Sequence, residues 1–238
     1  MPSIEIRQVQ LMRNHQPLFD ALSLDLSEAR IGLIGSNGAG KSSLAQLCNG
    51  LLQPNYGEVV CDGINARQGP RALARTVGYV FQNPDHQMIF PTVAEELAFS
   101  LQQCGHSRQA ARTEALHYLA QHQRTAWADR SVMSLSEGQK QWLCIHAVLI
   151  MTPKTLVLDE PYAALDLASR FALSTLIAAL PQQIVLITHE LEPLAHFDRI
   201  LWLEAGRLHA DGPPSEVLPQ YQAYARQLTD IAPELLRL

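Results

Sequence analysis

A glycine-rich segment, residues 35–42, constrains the fold of this chain more than any other feature. Its sequence, Gly-Ser-Asn-Gly-Ala-Gly-Lys-Ser, matches the pattern G-x-x-x-x-G-K-[ST] in full. A short apolar run, 31–34, precedes it, and residues 42–49 that follow have the pattern of a helix. In such a loop the glycines let several backbone N–H groups point at one anion, and the following helix adds positive partial charge. The segment therefore predicts a phosphate site between a strand and a helix.

Individual residues of this phosphate loop have separate predicted roles. Lys41 is expected to reach the β- and γ-phosphates of a nucleotide, and the Ser42 hydroxyl is expected to hold Mg²⁺. The other predicted nucleotide contacts in this segment are Gly35, Ser36, Asn37, Gly38, Ala39, Gly40 and Ser43. The loop thus predicts a magnesium–nucleotide site.

Two further apolar runs end in residues suited to phosphate chemistry. Residues 156–158 lead into Asp159 and Glu160, and residues 184–188 lead into His189. Ligands of open α/β sheets bind beyond the carboxyl ends of the strands, where these side chains and the phosphate loop would meet. Asp159 suits Mg²⁺, through water, and Glu160 suits deprotonation of an attacking water. We therefore predict Glu160, Lys41 and His189 as catalytic residues, with His189 sensing the γ-phosphate.

Apolar runs and helical spacing alternate along the chain and predict an α/β fold with a mainly parallel sheet. Helical spacing dominates from Thr92 to about Ile150, and a weak helix is predicted from Pro214. A hairpin is predicted over 200–208, with its turn at Ala205-Gly206. The remaining strands are predicted at 4–11, 22–26, 31–34, 59–61, 77–81, 156–158 and 184–187. We expect one domain, 1–238, with a core of 1–85 and 153–238 and a helical lobe of 86–152.

A second helix start has the features of an anion site. Leu135-Ser136-Glu137-Gly138-Gln139 precedes an amphipathic helix predicted over 140–150. Ser136 can cap that helix, and Gly138 permits close approach of a backbone. Glu137 brings a carboxylate near this site, so its side chain is expected to point away from a bound anion.

Composition excludes several classes of protein. The net charge is −5 and the isoelectric point is about 6.0, which disfavours a nucleic-acid partner. No apolar run approaches the ~18 residues of a membrane span, and the start of the chain lacks a leader pattern. The four cysteines are far apart and form no Cys-x-x-Cys pair, which argues against a zinc site or a disulfide framework. The chain is expected to stay in the cytosol.

Taken in order, these motifs resemble the ATP-binding cassette (ABC) ATPases over nearly the whole chain. The order is the phosphate loop, Gln82, the 135–139 signature, Asp159-Glu160-Pro161, Ala164-Leu165-Asp166 and His189. The resemblance implies a P-loop NTPase core with an antiparallel β portion plus a helical lobe, and ATP and Mg²⁺ as cofactors. It implies that Gln82 ligates Mg²⁺ and senses the transporter. It further implies a head-to-tail dimer, with a homodimer favoured, in which Ser136, Gly138, Gln139 and Asp166 act at the nucleotide of the second copy.

A narrower resemblance concerns the energy-coupling factor (ECF) transporters, which import vitamins, cobalt and nickel. Phe81-Gln82-Asn83-Pro84-Asp85-His86-Gln87 and the stretch 211–218 are similar to their ATPases. The chain ends soon after this stretch. In this short C-terminal segment it is most similar to the ATPase of biotin transporters. This resemblance implies a transmembrane coupling protein, a substrate-binding membrane protein, and a peripheral place on the cytoplasmic face of the cell membrane. Biotin is the favoured cargo, with a transition-metal ion as the other.

Some positions of this chain depart from the family pattern. Trp142 replaces a common basic residue, and Arg13 stands where an aromatic residue normally stacks on adenine, although a guanidinium can also stack on a flat ring. For the apolar residues Met88, Ile89 and Phe90 two alternatives stand: all three return to the core, or part of this stretch lines a pocket for a helix of the coupling protein.

Two other kinds of protein are weighed against an importer ATPase. A soluble ABC ATPase acting on ribosomes or DNA is disfavoured by the acidic net charge and by the absence of a second cassette. A P-loop kinase or GTPase is disfavoured by the Asp159-Glu160 pair, 117 residues after Ser42 (159 − 42), and by the absence of an Asn-Lys-x-Asp motif.

Overall fold

The computed structural model describes residues 2–13 and 15–231. Strands and helices alternate through much of this part of the chain. The strands are β1 (Ile4–Arg13), β2 (Gln16–Leu26), β3 (Arg30–Ile34), β4 (Tyr56–Cys61), β5 (Ile64–Asn65), β6 (Val77–Val80), β7 (Thr155–Asp159), β8 (Gln183–Ile187), β9 (Arg199–Glu204) and β10 (Arg207–Gly212). The helices are α1 (Lys41–Cys48), α2 (Pro70–Leu73), α3 (Val93–Gln103), α4 (Arg108–Gln121), α5 (Glu137–Leu149), α6 (Leu167–Ala179) and α7 (Pro214–Ile231).

The main sheet has six strands in the order β10-β9-β3-β8-β7-β6. All neighbouring pairs are parallel except β9 and β10, which form the predicted hairpin. Every residue of β6, β7 and β8 is buried, as expected for parallel strands covered on both faces. The carboxyl ends of β3, β8 and β7 therefore lie side by side at one edge. The predicted α/β fold with a mainly parallel sheet is confirmed.

A second sheet is antiparallel, with the strand order β2-β1-β4-β5. Its buried residues alternate along part of each long strand, and they pack with α1 and one face of the main sheet in one apolar cluster. This sheet is the antiparallel β portion that the family resemblance implied.

The segment between β6 and β7 has an apolar cluster of its own, formed by α3, α4 and α5. The side chains of Thr92, Ser107 and Ser136 accept backbone N–H groups at the starts of these helices. Helix α5 begins at Glu137 instead of the predicted Lys140. The reason is a capping box, in which Ser136 and Gln139 satisfy each other's backbone N–H groups.

The structure rules out the alternative in which residues 88–90 all return to the core. Met88 is half-buried and packs against two apolar clusters, but Ile89 is 70% exposed. The buried carboxylate of Glu96 explains this conformation, because its Oε2 accepts the N–H groups of Ile89 (2.9 Å) and Phe90 (2.8 Å). Contact of part of this stretch with a partner stays a prediction.

Among the described residues, no helix combines the length and the apolar character that crossing a membrane requires.

Candidate nucleotide site

Most of the predicted site residues meet in one cavity at the carboxyl ends of β3, β7 and β8. The cavity has a volume of about 360 Å³. The predicted residues that line it are Arg13, Asn37, Gly38, Gly40, Lys41, Ser42, Ser43, Gln82, Asp159, Glu160 and His189. Gly35, Ser36 and Ala39 belong to the loop but do not line the cavity. Gly35 instead packs against β9, where an added Cβ would lie 1.9 Å from the Leu203 carbonyl oxygen.

The phosphate loop presents an uncapped helix start to this cavity. Gly38 and Gly40 have positive φ angles of 83° and 104°, which glycine adopts without strain. Gly40 is the N-cap residue of α1, and it has no side chain that could accept a hydrogen bond from the first N–H groups of the helix. The first N–H groups of α1 are therefore left for an anion, and the helix dipole favours negative charge there.

Lys41 is buried at the first position of α1. Its Nζ donates hydrogen bonds to the carbonyl oxygens of Gly35 (2.8 Å) and Ser36 (3.0 Å). Burial lowers the pKa of Lys41, and the nearby carboxylates of Glu160, Asp159 and Glu204 oppose that shift. The loop thus holds a desolvated cation where phosphate oxygens would bind.

The residues predicted to hold Mg²⁺ fit a magnesium–nucleotide complex. Asp159 is buried, and its Oδ1 has no hydrogen-bond partner among the described residues. Ser42 and Gln82 line the same cavity. The described residues contain no group of three or more His, Cys, Asp and Glu side chains that could hold a metal ion. Ser42, Gln82 and Asp159 would therefore need phosphate oxygens of the nucleotide to complete the coordination of Mg²⁺. Mg²⁺ is usually bound in this way in nucleotide-dependent enzymes.

Glu160 lies directly after β7 and is partly buried. Its backbone lies in the left-handed region (φ 49°), and its N–H donates to the Ile187 carbonyl at 2.9 Å. The side-chain Oε2 accepts a hydrogen bond from the backbone N–H of His189 at 3.2 Å. The other oxygen, Oε1, is buried without a hydrogen bond among the described residues, although His189 Nε2 lies 3.2 Å away. Burial raises the pKa of Glu160, which brings this carboxylate closer to the pKa that suits a base near neutral pH.

Desolvation and the nearby cation favour the neutral form of His189. Burial lowers its pKa from the ordinary value of 6.5, and the charge of Lys41 acts in the same direction. A neutral ring beside Glu160 can exchange hydrogen bonds with a phosphate oxygen or a water without adding a full positive charge.

The signature residues lie in a different place. Ser136, Gly138 and Gln139 line a separate cavity of about 480 Å³ between α5 and α6. Asp166 caps α6 by accepting the Ser169 N–H at 2.7 Å. Glu137 forms an ion pair with Lys140 at 3.1 Å. One chain therefore does not bring these residues to its own phosphate loop.

Some contacts that support the site were not predicted. Glu204, at the end of β9, accepts a hydrogen bond from the Ser36 hydroxyl of the phosphate loop. Two residues further on, the Gly206 N–H donates to the Ala39 carbonyl at 3.1 Å. The hairpin turn was recognisable in the sequence, but no local pattern shows which loop a turn contacts. Tyr79, on β6, contacts Asp159 and was recognisable only as a residue of a buried strand.

Comparison with known proteins gives one consistent family. The ABC transporter family profile matches residues 19–163. Biotin transport ATP-binding protein BioM of Rhodobacter capsulatus is 48% identical over 228 residues, which cover 96% of this chain and 97% of that protein. BioM of Rhizobium etli is 38% identical over 206 residues, which cover 87% of this chain and 92% of that protein.

Solved structures agree with these sequence matches. The structure of cbiO1 from Clostridium perfringens, described as part of the ABC transporter complex cbiONQ, superposes with a TM-score of 0.76 at 25% identity. That superposition covers 98% of this chain and 96% of cbiO1. The chain therefore belongs to the ABC transporter family as one of its ATP-binding proteins, ATPases that bind ATP with Mg²⁺.

Proposed function

We propose that this chain is the ATP-hydrolysing subunit of an ECF-type ABC importer and that the cargo is biotin. The observation that carries the proposal is the 48% identity with a biotin transport ATP-binding protein across 96% of this chain. A transition-metal ion is the second candidate cargo, supported by the fold shared with cbiO1.

Each site residue has a separate role in the proposed hydrolysis of ATP. Lys41 and the N–H groups of the loop bind the β- and γ-phosphates and orient the terminal phosphorus. Glu160 Oε1 takes the proton of the attacking water, and His189 orients Glu160 and contacts the γ-phosphate. Ser42, Gln82 and Asp159 would hold Mg²⁺, which supplies charge neutralisation for the phosphates when bound.

A second copy completes each site in this proposal. The signature residues Ser136, Gly138 and Gln139 face a separate cavity of the same chain, and Asp166 does not line the nucleotide cavity either, which supports a role for all four at another chain's nucleotide. A head-to-tail homodimer brings each signature to the partner's phosphate loop and places two ATP molecules at the seam.

An apolar groove is the proposed docking site for the transmembrane coupling protein. The groove has a volume of about 530 Å³, and Leu51, Phe81, Phe99 and Met151 are among its lining residues. It lies between the proposed core (1–85 and 153–238) and the proposed helical lobe (86–152). A helix of the coupling protein, itself joined to a substrate-binding membrane protein, fills this groove and holds the chain on the cytoplasmic face of the membrane.

We expect Leu51→Glu to block assembly with the membrane proteins. Leu51 is 44% exposed, so a charge there leaves the isolated chain folded but puts a carboxylate in the apolar groove. ATP affinity of the isolated chain should change less than about threefold. The measurement is co-purification of the chain with its membrane partners from detergent extracts.

Tyr56→Glu is the matched control, because Tyr56 is 68% exposed and lies on the antiparallel sheet. Ile89→Glu tests whether the docking surface extends to the exposed loop beside Phe90. Normal co-purification of Leu51→Glu would remove the groove from the interface.

Selectivity for adenine should be modest. Among the described residues, no Phe, Tyr or Trp lines the nucleotide cavity, and the flat groups in its lining are the Arg13 guanidinium and the His189 ring. Stacking of a base on an aromatic side chain contributes about 1–3 kcal/mol elsewhere, and 1.4 kcal/mol corresponds to tenfold. GTP should therefore compete within about a hundredfold of ATP in an equilibrium binding assay. Discrimination beyond about ten-thousandfold would mean that another residue reads the base.

Uptake into membrane vesicles tests the proposed cargo. Vesicles that contain the chain and its co-purified membrane partners should accumulate labelled biotin when ATP is present on the side of the ATPase. The same vesicles with Glu160→Gln should not accumulate it. Uptake of cobalt or nickel in place of biotin would support the second candidate cargo. If the chain associates with no membrane protein, the result would instead fit a soluble ABC ATPase.

A further inference from the structure

Tyr79 is connected to two of the segments that carry a proposed magnesium ligand. It lies on β6 and is buried, and its hydroxyl donates a hydrogen bond of 2.6 Å to Asp159 Oδ2. Gln82 follows Tyr79 by three residues on the same segment.

The strand register explains how Tyr79 reaches Asp159. Tyr79 is paired with Val157 in the parallel ladder of β6 and β7. Asp159 lies two residues beyond Val157 and points to the same face of the sheet, within reach of a long aromatic side chain. Phe81 packs edge-to-face on the Tyr79 ring, with centroids 4.8 Å apart. The packed ring therefore fixes the position of the hydroxyl.

The contact leaves one oxygen of Asp159 free in a defined orientation. Oδ2 is occupied by Tyr79, while Oδ1 has no hydrogen-bond partner among the described residues. The Tyr79 hydroxyl is the donor in this contact, and the carboxylate oxygen is the acceptor. A hydrogen bond to a charged carboxylate in a buried environment is short and strong.

We propose that Tyr79 is a positioning residue for the magnesium ion. It is not among the residues that line the nucleotide cavity, and it acts by orienting the Asp159 carboxylate. This role rests on the proposed function of Ser42, Gln82 and Asp159 as magnesium ligands.

Tyr79→Phe tests the role because it removes one hydroxyl and keeps the buried ring. Binding of a fluorescent, non-hydrolysable ATP analogue is measured twice, once with Mn²⁺ in place of Mg²⁺ and once in EDTA. The affinity for the Mn²⁺-loaded analogue should fall by roughly 10- to 100-fold, the usual effect of removing a group that orients a metal ligand. The affinity for the metal-free analogue should stay within about twofold of the parent protein.

Tyr118→Phe is the matched control. The Tyr118 hydroxyl lies 2.9 Å from Nδ1 of the buried His146, in the helical segment. This variant loses a comparable hydroxyl and should keep both affinities.

Two results for Tyr79→Phe would overturn the proposed role. Unchanged affinity for the Mn²⁺-loaded analogue would mean that Asp159 needs no such support. An equal loss with and without metal would assign Tyr79 a structural role only. If the parent protein itself binds the analogue equally well with Mn²⁺ and in EDTA, the magnesium ligands are wrong, and the role of Tyr79 is overturned with them.

Discussion

Lys41→Ala is expected to weaken ATP binding by about 30-fold or more and to abolish measurable hydrolysis. Removing one partner of a buried charge pair costs about 2–5 kcal/mol, and each 1.4 kcal/mol is tenfold in affinity. Lys41 is buried and sits where phosphate oxygens would bind, so no exposed lysine can replace it. Equilibrium titration with ATP and a steady-state phosphate-release assay are the measurements.

Lys154→Ala is the control for this prediction. Lys154 is an exposed lysine whose ion-pair partner is Asp62, away from the cavity. Its loss should leave ATP affinity and hydrolysis at the parent level. Hydrolysis at the parent rate by Lys41→Ala would show that the phosphate-loop assignment is wrong.

Glu160→Gln should slow hydrolysis by about 10²- to 10⁴-fold, the usual contribution of a general base, while ATP binding persists. The amide keeps the shape of the side chain and can still accept the His189 N–H, but it cannot take a proton from water. Single-turnover hydrolysis measures the rate, and Glu192→Gln, at an exposed position nearby, should retain the parent rate. Equal rates in Glu160→Gln and the parent would exclude Glu160 as the base.

The same substitution should raise thermal stability at neutral pH. Burial raises the pKa of Glu160 above its ordinary value of 4.5, so the folded state holds this proton more tightly than the unfolded state does. The stabilisation from that proton is present below pH 4.5 and is lost as the pH rises through the raised pKa. At pH 7–8 the ionised carboxylate thus destabilises the folded state. Glu160→Gln removes this destabilisation. Melting curves without nucleotide should show a higher Tm for the variant.

Local sequence patterns predicted the strands that carry the site because parallel strands buried on both faces are short apolar runs. β3, β7 and β8 were recognisable in this way. The rule that ligands bind beyond the carboxyl ends of such strands then placed Asp159, Glu160 and His189 beside the phosphate loop. The cavity contains all three.

The unpredicted features depend on contacts between residues far apart in the chain. Tyr79 and Asp159 are separated by 80 positions and Ser36 and Glu204 by 168, so no spacing rule connects them. The orientation of Ile89 was missed for a related reason, because the buried carboxylate of Glu96 holds that loop. A glutamate inside a helical pattern is typical of a solvent-exposed face, and its burial is decided by packing.

The most direct test of the account is the mass of Glu160→Gln in solution with saturating ATP and Mg²⁺. The proposed mechanism needs the signature of one chain at the nucleotide of another, and the variant should accumulate in that state because it binds ATP without hydrolysing it. Light scattering should then give twice the mass of the 26.4 kDa chain with ATP and Mg²⁺, and the mass of one chain after nucleotide removal. A monomer under saturating ATP and Mg²⁺ would contradict the account, since Ser136, Gly138 and Gln139 would have no nucleotide to contact.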